Sequence, residues 1–501
     1  MRTRLRRLLD GITRAIRPPR VVPPETENRL LFRFGYLLHA AATPPEGGAL
    51  WSRLGGSWIA TAVGPFVLVT HPETRMARAD EGERVTVLLG DAFFTVEPLE
   101  RAPLAALAAA DDDGIPALLD QLSGRFAVIT RRGGRTRFYH DAFGARSTFY
   151  RKSGPLGLAS HPELLAHAFG DRLWPEMMRF VGSQWFRRKT PAMLPTDATL
   201  YEGILALLPN HGYAVEEQRP FRYWPRHERR RTAATFDEFF AAIDTYFRGM
   251  VRFLAGREVI VSITGGIDSR TLIAALRHYG VPLRTVTWKG FYFEQWEAAP
   301  VEEIVAHLAG EHAWVDETND RINDEALLGV RNSGNYRSPS RAVAGMARLF
   351  GAIPGAFWLP GQGAVVIRGW PPPRIPLPDL RPETMLNDYL RSREGIPPAG
   401  PEERAFVLRE TEAMCGRIDF ATPIAMGYDA EEVYLWEHRA GTWSVCSINA
   451  MHSAVDCMFG FNSRVLAEIG MAMPPELRRT KKLFHEVIRR YDERLAAIYF
   501  R

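Results

Sequence analysis

The chain has 501 residues, 46% hydrophobic and 24% charged, with a formal net charge of +5. That length predicts two or more domains with ample core, the composition is that of a soluble globular chain, and no apolar run is long enough to cross a bilayer. Its three cysteines, Cys415, Cys446 and Cys457, argue against a disulfide framework or a zinc site and fit a reducing cytoplasm.

Much of the positive excess lies at the start, in Arg2, Arg4, Arg6, Arg7, Arg14, Arg17 and Arg20, with Leu5, Leu8, Leu9, Ile12 and Ile16 spaced helically among them. The segment lacks the continuous apolar core of a secretory signal. Residues 1–28 read as a solvated or loosely docked basic arm, which leaves open weak contact with an acidic membrane surface or a partner protein. Charges elsewhere are mixed, so no nucleic acid is expected.

Residues 29–215 read mainly as strands, at 57–63, 66–70, 85–89, 125–130 and 137–140, with Gly133-Gly134 as a hairpin turn. Short helices are predicted at 104–110 and 115–122. Residues 216–501 change character. A helix at 236–253, a strand at 259–263, a helix from 271, a strand at 283–287, a helix at 301–308 and a strand at 312–316 alternate. That order predicts a parallel, doubly wound sheet. Prolines at 371–378 and 397–398 mark a loop-rich stretch, and helices follow from about Glu402.

The most informative segment is Val259-Ile-Val-Ser-Ile-Thr-Gly-Gly-Ile-Asp-Ser-Arg270. A buried strand ends in a glycine turn, and a helix begins at once. The glycines permit close approach of a ligand to backbone. The helix start offers unpaired N–H groups and the positive end of a dipole. Ser262, Thr264 and Ser269 add hydroxyls and Asp268 a carboxylate, a set suited to pyrophosphate held with Mg²⁺. The plainer alternative is an ordinary strand–turn–helix capped by Asp268. The Gly-Lys-Ser/Thr ending of a Walker loop is absent.

This run resembles the Ser-Gly-Gly-x-Asp-Ser loop of the ATP pyrophosphatases, which cleave ATP to AMP and pyrophosphate, with Thr264 in place of the first serine. Ser123-Gly-Arg-Phe-Ala-Val128, His140-Asp-Ala-Phe-Gly-Ala-Arg-Ser-Thr-Phe-Tyr150, the run from Leu194 to Pro209, Tyr434-Leu-Trp-Glu-His-Arg439 and Gly460-Phe-Asn-Ser-Arg-Val-Leu466 extend the resemblance to the asparagine-synthetase superfamily. The resemblance implies an N-terminal amidotransferase-like β-sandwich (29–215) followed by a doubly wound α/β ATP-pyrophosphatase synthetase domain with a helical C-terminal part (216–501). It implies ATP and Mg²⁺ as cofactors, with Ser262, Thr264, Gly265, Gly266, Asp268 and Ser269 around the phosphates and Asp268 on the metal.

The departures from the family pattern shape the functional expectation. Glutamine-using members carry a cysteine nucleophile directly after Met1, where this chain has Arg2; a thiolate is needed to open the glutamine amide, so the sandwich is expected to be inactive as a glutaminase. Members with that loss include β-lactam synthetases and lasso-peptide cyclases. A later acidic loop of the family corresponds here to Phe357-Trp-Leu-Pro-Gly-Gln-Gly-Ala-Val-Val366. Gly361 and Gly363 remain, as expected nucleotide-binding glycines, but Gln362, Val365 and Val366 replace acids. Gln362 is expected near the acyl group, a valine would face the metal–triphosphate site without offering a ligand, which leaves Asp268 to hold Mg²⁺ with phosphates and waters, and Arg368 is read as pairing on the surface in preference to contacting a phosphate. The family's late lysine, which stabilises charge on the activated carboxyl, has Lys482 or Lys481 as its candidates here, Lys482 being taken as catalytic, although exposed helix charges are the plainer reading. Tyr428 and Tyr434 read as packing residues, Glu437 as pairing with an arginine on a surface-facing helix in preference to acid/base work with His438, and Arg229-Arg230-Arg231 as a solvated linker.

Two functions follow as expectations. One is an AMP-forming ligase that activates a small-molecule, peptide or glycan carboxylate as an acyl-adenylate for amide-bond formation without glutamine. The other is a non-catalytic binding or scaffold protein of the same fold.

Overall fold

In β5 (Arg84–Phe94) and β6 (Leu122–Arg132), successive apolar side chains enter different cores. Val87, Leu89, Ala127 and Ile129 join one cluster, and Leu88, Phe126 and Val128 another. Side chains alternate across a strand, so these near-continuous apolar runs mark a sheet covered on both faces. The computed structural model describes residues 21–189, 193–229, 233–290, 293–318, 321–334, 339–370, 377–391 and 398–500. The arm residues 1–20, Arg230, Arg231, the proline run at 371–376 and Arg501 lie outside the described residues.

One six-stranded antiparallel sheet runs β10-β8-β9-β1-β3-β2, built from β1 (Tyr36–Ala40), β2 (Ile59–Val63), β3 (Phe66–Thr70), β8 (Phe149–Arg151), β9 (Gly157–Ala159) and β10 (Ile204–Ala206). The other runs β12-β11-β7-β6-β5-β4, adding β4 (Met76–Glu81), β7 (Arg135–His140), β11 (His211–Ala214) and β12 (Arg219–Arg222). Tyr36, Leu38 and Leu68 of the first sheet share a core with Val87, Ile129 and Phe138 of the second, so the sheets pack face to face. The hairpin at Gly133-Gly134 is as expected: both glycines have positive φ, 53° and 78°, which a two-residue hairpin turn of this hand requires. Residues 24–28, assigned to the arm, instead belong to a packed helix, Pro24–Leu30. Leu30 is buried, and Glu27 pairs with Arg53 and Arg331.

The helix Phe236–Leu254 opens on a capping box between Thr235 and Glu238 and buries Phe239, Ile243, Tyr246, Phe247, Met250 and Leu254 along one stripe. It leads into a five-stranded parallel sheet, β15-β14-β13-β16-β17, formed by β13 (Glu258–Ser262), β14 (Leu283–Lys289), β15 (His312–Asp316), β16 (Ala356–Leu359) and β17 (Asp456–Cys457). Val259 and Val261 pack with Leu272, Ile273, Phe484 and Val487 on one face; Ile260, Val286 and Trp358 pack with Val343, Ile448 and Met451 on the other. Helices therefore cover both faces. Strand order reverses between β13 and β16, and a crevice outside the carboxyl ends of such strands is where open α/β sheets bind ligands. The expectation that everything from Glu402 is helical misses β17, which is two residues long and too short to show a period. No described helix is long and apolar enough to cross a membrane.

Candidate functional site

β13 ends at Ser262, and the turn 263–267 feeds the helix Asp268–His278. The turn is wired internally. Ser262 Oγ accepts the Trp358 indole N–H at 2.8 Å. Thr264 Oγ1 lies 3.0 Å from Ser269 Oγ and accepts the Gly266 N–H at 3.2 Å. The Gly265 N–H donates to Glu297 Oε1 at 3.1 Å. A side chain at Gly265 would meet the Trp296 ring at 2.8 Å and Glu297 Cγ at 3.0 Å. Thus the residue pair Trp296–Glu297 lies directly on the turn, and a carboxylate occupies an N–H expected to face phosphate.

Across the switch point, Pro360–Gln362 follows β16. A Cβ at Gly361 would stand 2.8 Å from Ser269 N, and one at Gly363, where φ is 93°, 2.1 Å from the Phe461 carbonyl oxygen. Both glycines are thus demanded by backbone packing. The short helix Ala364–Arg368 carries Val366 into the core; Val365, partly buried against the same cluster, lines a small pocket with Trp370, Glu431 and Leu435. The expectation of a valine facing the phosphate loop is therefore corrected. The residue that faces it is Arg368. Its Nε and Nη2 donate to Asp268 Oδ1 and Oδ2 at 2.5 and 2.8 Å, and its Nη1 donates to the Gly369 carbonyl at 2.9 Å. Its side chain is 11% exposed, against 29% for Asp268. Reading Arg368 as a surface residue is corrected too. Burial works against its charge, but the Asp268 carboxylate outweighs burial and holds the guanidinium above its ordinary range.

Between the two loops lies a cavity of about 270 Å³, reached by Thr264, Thr287, Trp288, Phe293, Trp358 and Gln362. Trp288 and Trp358 meet edge to face with centroids 5.4 Å apart. Gln362 donates through Nε2 to Ser447 Oγ at 2.9 Å, but among the described residues its buried Oε1 has no hydrogen-bond partner, and neither does the buried Trp288 Nε1. Val343, Ala450 and Met451 complete an apolar wall.

Lys482 is not brought to this site: it is exposed at the start of the helix Lys482–Tyr491, and among the described residues no hydrogen bond or ion pair joins it to either loop. Sequence reasoning passed over Arg270, which is fully buried beneath the turn; burial pushes it down to about 10, with Glu303 opposing. A lone arginine in an Ala/Leu-rich helix start was the available signal. Glu297 and Trp296 carried no such signal. Glu437 does pair with an arginine, but in the interior: its carboxylate is fully buried, held by Arg222 at 2.6 and 2.9 Å and by Asn210 Nδ2 at 3.0 Å. His438 stacks on Tyr434 and is pushed down to about 4 by burial. Tyr428 and Tyr434 are packing residues, both 4% exposed. Arg229 is corrected from solvated linker to anchor, since it pairs with Asp429 at 2.8 Å and Glu432 at 3.3 Å.

As the side chains stand, Asp268 offers a divalent ion no free oxygen. Both of its carboxylate oxygens accept from Arg368, the segment 357–368 carries no acid, and among the described residues no group of three or more His, Cys, Asp or Glu could hold a metal.

No protein-family profile and no curated protein sequence matches the chain. Among solved structures it is similar to the NMN synthetase of Francisella tularensis, with 12% identity over 41% of this chain and 94% of that one and a TM-score of 0.21. It is also similar to the glutamine phosphoribosylpyrophosphate amidotransferase of B. subtilis complexed with ADP and GMP, with 10% identity, 58% and 86% coverage and a TM-score of 0.24. A glutamine-dependent NAD+ synthetase from Acinetobacter baumannii, in complex with ADP, aligns at 13% identity with 53% and 59% coverage and a TM-score of 0.20. These likenesses are distant, and the functional reading stands on the chain's own residues.

Proposed function

We propose that the chain binds ATP in this crevice and acts as an AMP-forming ligase, activating a carboxylate as an acyl-adenylate for attack by an amine without glutamine as the nitrogen source. The cavity beside Thr264 carries the reading. Its lining is aromatic on one side, and two lining residues, Trp288 and Gln362, each keep a buried polar atom that has no hydrogen-bond partner among the described residues, the donor Trp288 Nε1 and the acceptor Gln362 Oε1. An indole nitrogen only donates and an amide oxygen only accepts, so, turned into the cavity, the pair would complement a heteroaromatic edge that presents an acceptor and a donor, as adenine does. On this reading Gln362 meets the base rather than the acyl group. The phosphates extend to the turn 264–269 and the helix start behind it, where N–H groups and the dipole favour anions. The Glu297 carboxylate marks that preference from within, because it already occupies the Gly265 N–H; an incoming phosphate replaces one anion by another.

The test is calorimetric titration with ATP, followed by assay of pyrophosphate release with mixtures of amino acids, peptides and sugar acids. Binding with carboxylate-dependent pyrophosphate release supports the ligase; absence of ATP binding sinks it. Binding without release under every carboxylate supports the second reading, a non-catalytic nucleotide-binding or scaffold protein. The Arg368–Asp268 pair and the exposed Lys482 favour that second reading.

A further inference from the structure

We propose that Arg368 is the resident cation of this site, standing where a divalent ion would otherwise be needed, so that nucleotide phosphates are bound without metal. This rests on the nucleotide reading above and adds to it the residue that decides metal dependence.

The geometry is that of a fixed charge. Arg368 is locked in the plane of the Asp268 carboxylate by two hydrogen bonds and tied by a third to the Gly369 carbonyl. The loop that carries it is held in place by backbone: the Gly460 and Phe461 N–H groups donate to the Pro360 and Gln362 carbonyls at 2.9 and 3.1 Å, and Gly361 lies so close to the helix start that an added Cβ would stand 2.8 Å from Ser269 N. A guanidinium has five N–H donors. Three are spent on Asp268 and Gly369, which leaves two for phosphate oxygens. Planar, weakly hydrated and always charged, arginine suits phosphate recognition. A metal ion must strip Arg368 from Asp268 before it can bind there, whereas a phosphate can join the pair as it stands. The absence of any acid in the segment 357–368 fits the same arrangement: a site whose cation is a side chain has no use for additional carboxylate ligands.

The experiment is calorimetric titration of the full chain with ATP, once in EDTA and once in Mg²⁺, for wild type, Arg368→Ala and Arg368→Lys, with thermal melting to confirm folding. Wild type is expected to bind with the same affinity in both buffers. Arg368→Ala should lose about tenfold or more in EDTA, the effect of removing a charge-assisted phosphate contact, and recover in Mg²⁺ because Asp268 is then free. Arg368→Lys should fall between the two in EDTA. Wild-type binding that requires Mg²⁺ overturns the inference and leaves the nucleotide reading standing, as does Arg368→Ala binding undiminished in EDTA. If wild type binds ATP in neither buffer, the nucleotide reading itself fails, and this inference with it. If both variants fail to fold, a wild-type requirement for Mg²⁺ still overturns the inference.

Discussion

The guanidinium of Arg270 donates to the carbonyl oxygen of Tyr499 at 3.0 Å, and the same side chain reaches the carbonyls of Ile498 at 2.5 Å and Gly265 at 3.3 Å. The turn and the segment 498–500 are thus held by one buried cation, helped by the Trp296–Tyr499 edge contact and by Phe500 under the Arg270 guanidinium. Arg270→Ala removes donors from buried carbonyls and leaves a cavity. It is expected to cost about 2–4 kcal/mol and to speed hydrogen exchange in residues 264–269. Exchange unchanged in that turn would show that the tail does not support it.

The Asp268–Arg368 pair has a stability consequence separate from any ligand. Removing one partner strands the other partly buried charge, whereas removing both does not. Asp268 is 29% exposed, so screening reduces the coupling to about 1–3 kcal/mol. In urea denaturation, Asp268→Ala should destabilise more than Asp268→Ala combined with Arg368→Ala. Strict additivity of the two single changes would count against the pairing.

Gln362 keeps a buried acceptor without a partner among the described residues. An unmet acceptor costs stability, about 1–3 kcal/mol, and such a cost is tolerated where a ligand meets it. Gln362→Met should leave the melting temperature unchanged or higher while weakening ATP binding about tenfold, the worth of one good hydrogen bond in a closed site. A variant both less stable and equally tight would assign Gln362 to packing.

The two glycines of the second loop should respond unequally. At Gly363 an added Cβ collides with the Phe461 carbonyl and the backbone is left-handed, so Gly363→Ala is expected to cost about 2–4 kcal/mol. At Gly361 the collision is at 2.8 Å with Ser269 N, so Gly361→Ala should shift the loop and weaken nucleotide binding with a smaller loss of stability. Equal melting temperatures for the two variants would contradict this order.

Burial pushes His71, His140 and His438 down to about 4 and His161 to about 3. These folded-state values lie below the unfolded value near 6.5, so the unfolded chain binds more protons as pH falls. The contribution of these groups to stability is full above about pH 6.5 and is lost progressively toward pH 4. One unit below 6.5, each buried histidine costs about 1.4 kcal/mol. The melting temperature should be flat above neutrality and drop steeply between pH 6.5 and 4; a flat profile across that window would show that these rings are solvated.

What the sequence determined by itself was local: the β-branched run into Thr264-Gly265-Gly266, the glycine pair of the 133–134 hairpin, the amphipathic helix from Phe236, and the alternation of helix and strand that produces a parallel sheet. Each depends on residues within a few positions of one another, where periodicity and turn chemistry are written directly in side-chain types. The tertiary structure decided which charges meet. Arg368 and Asp268 are 100 positions apart and Arg222 and Glu437 are 215 apart, and no local pattern marks either as a pair. β16 lies beside β13 in the sheet, which sets the loop after one against the loop after the other, so the cation on Asp268 is a consequence of strand order. The burial of Glu437 follows the same way, from the packing that brings it against Arg222 and Asn210. Coulomb attraction acts through space and is indifferent to separation along the chain, so the fold had to be known before the site's cation could be.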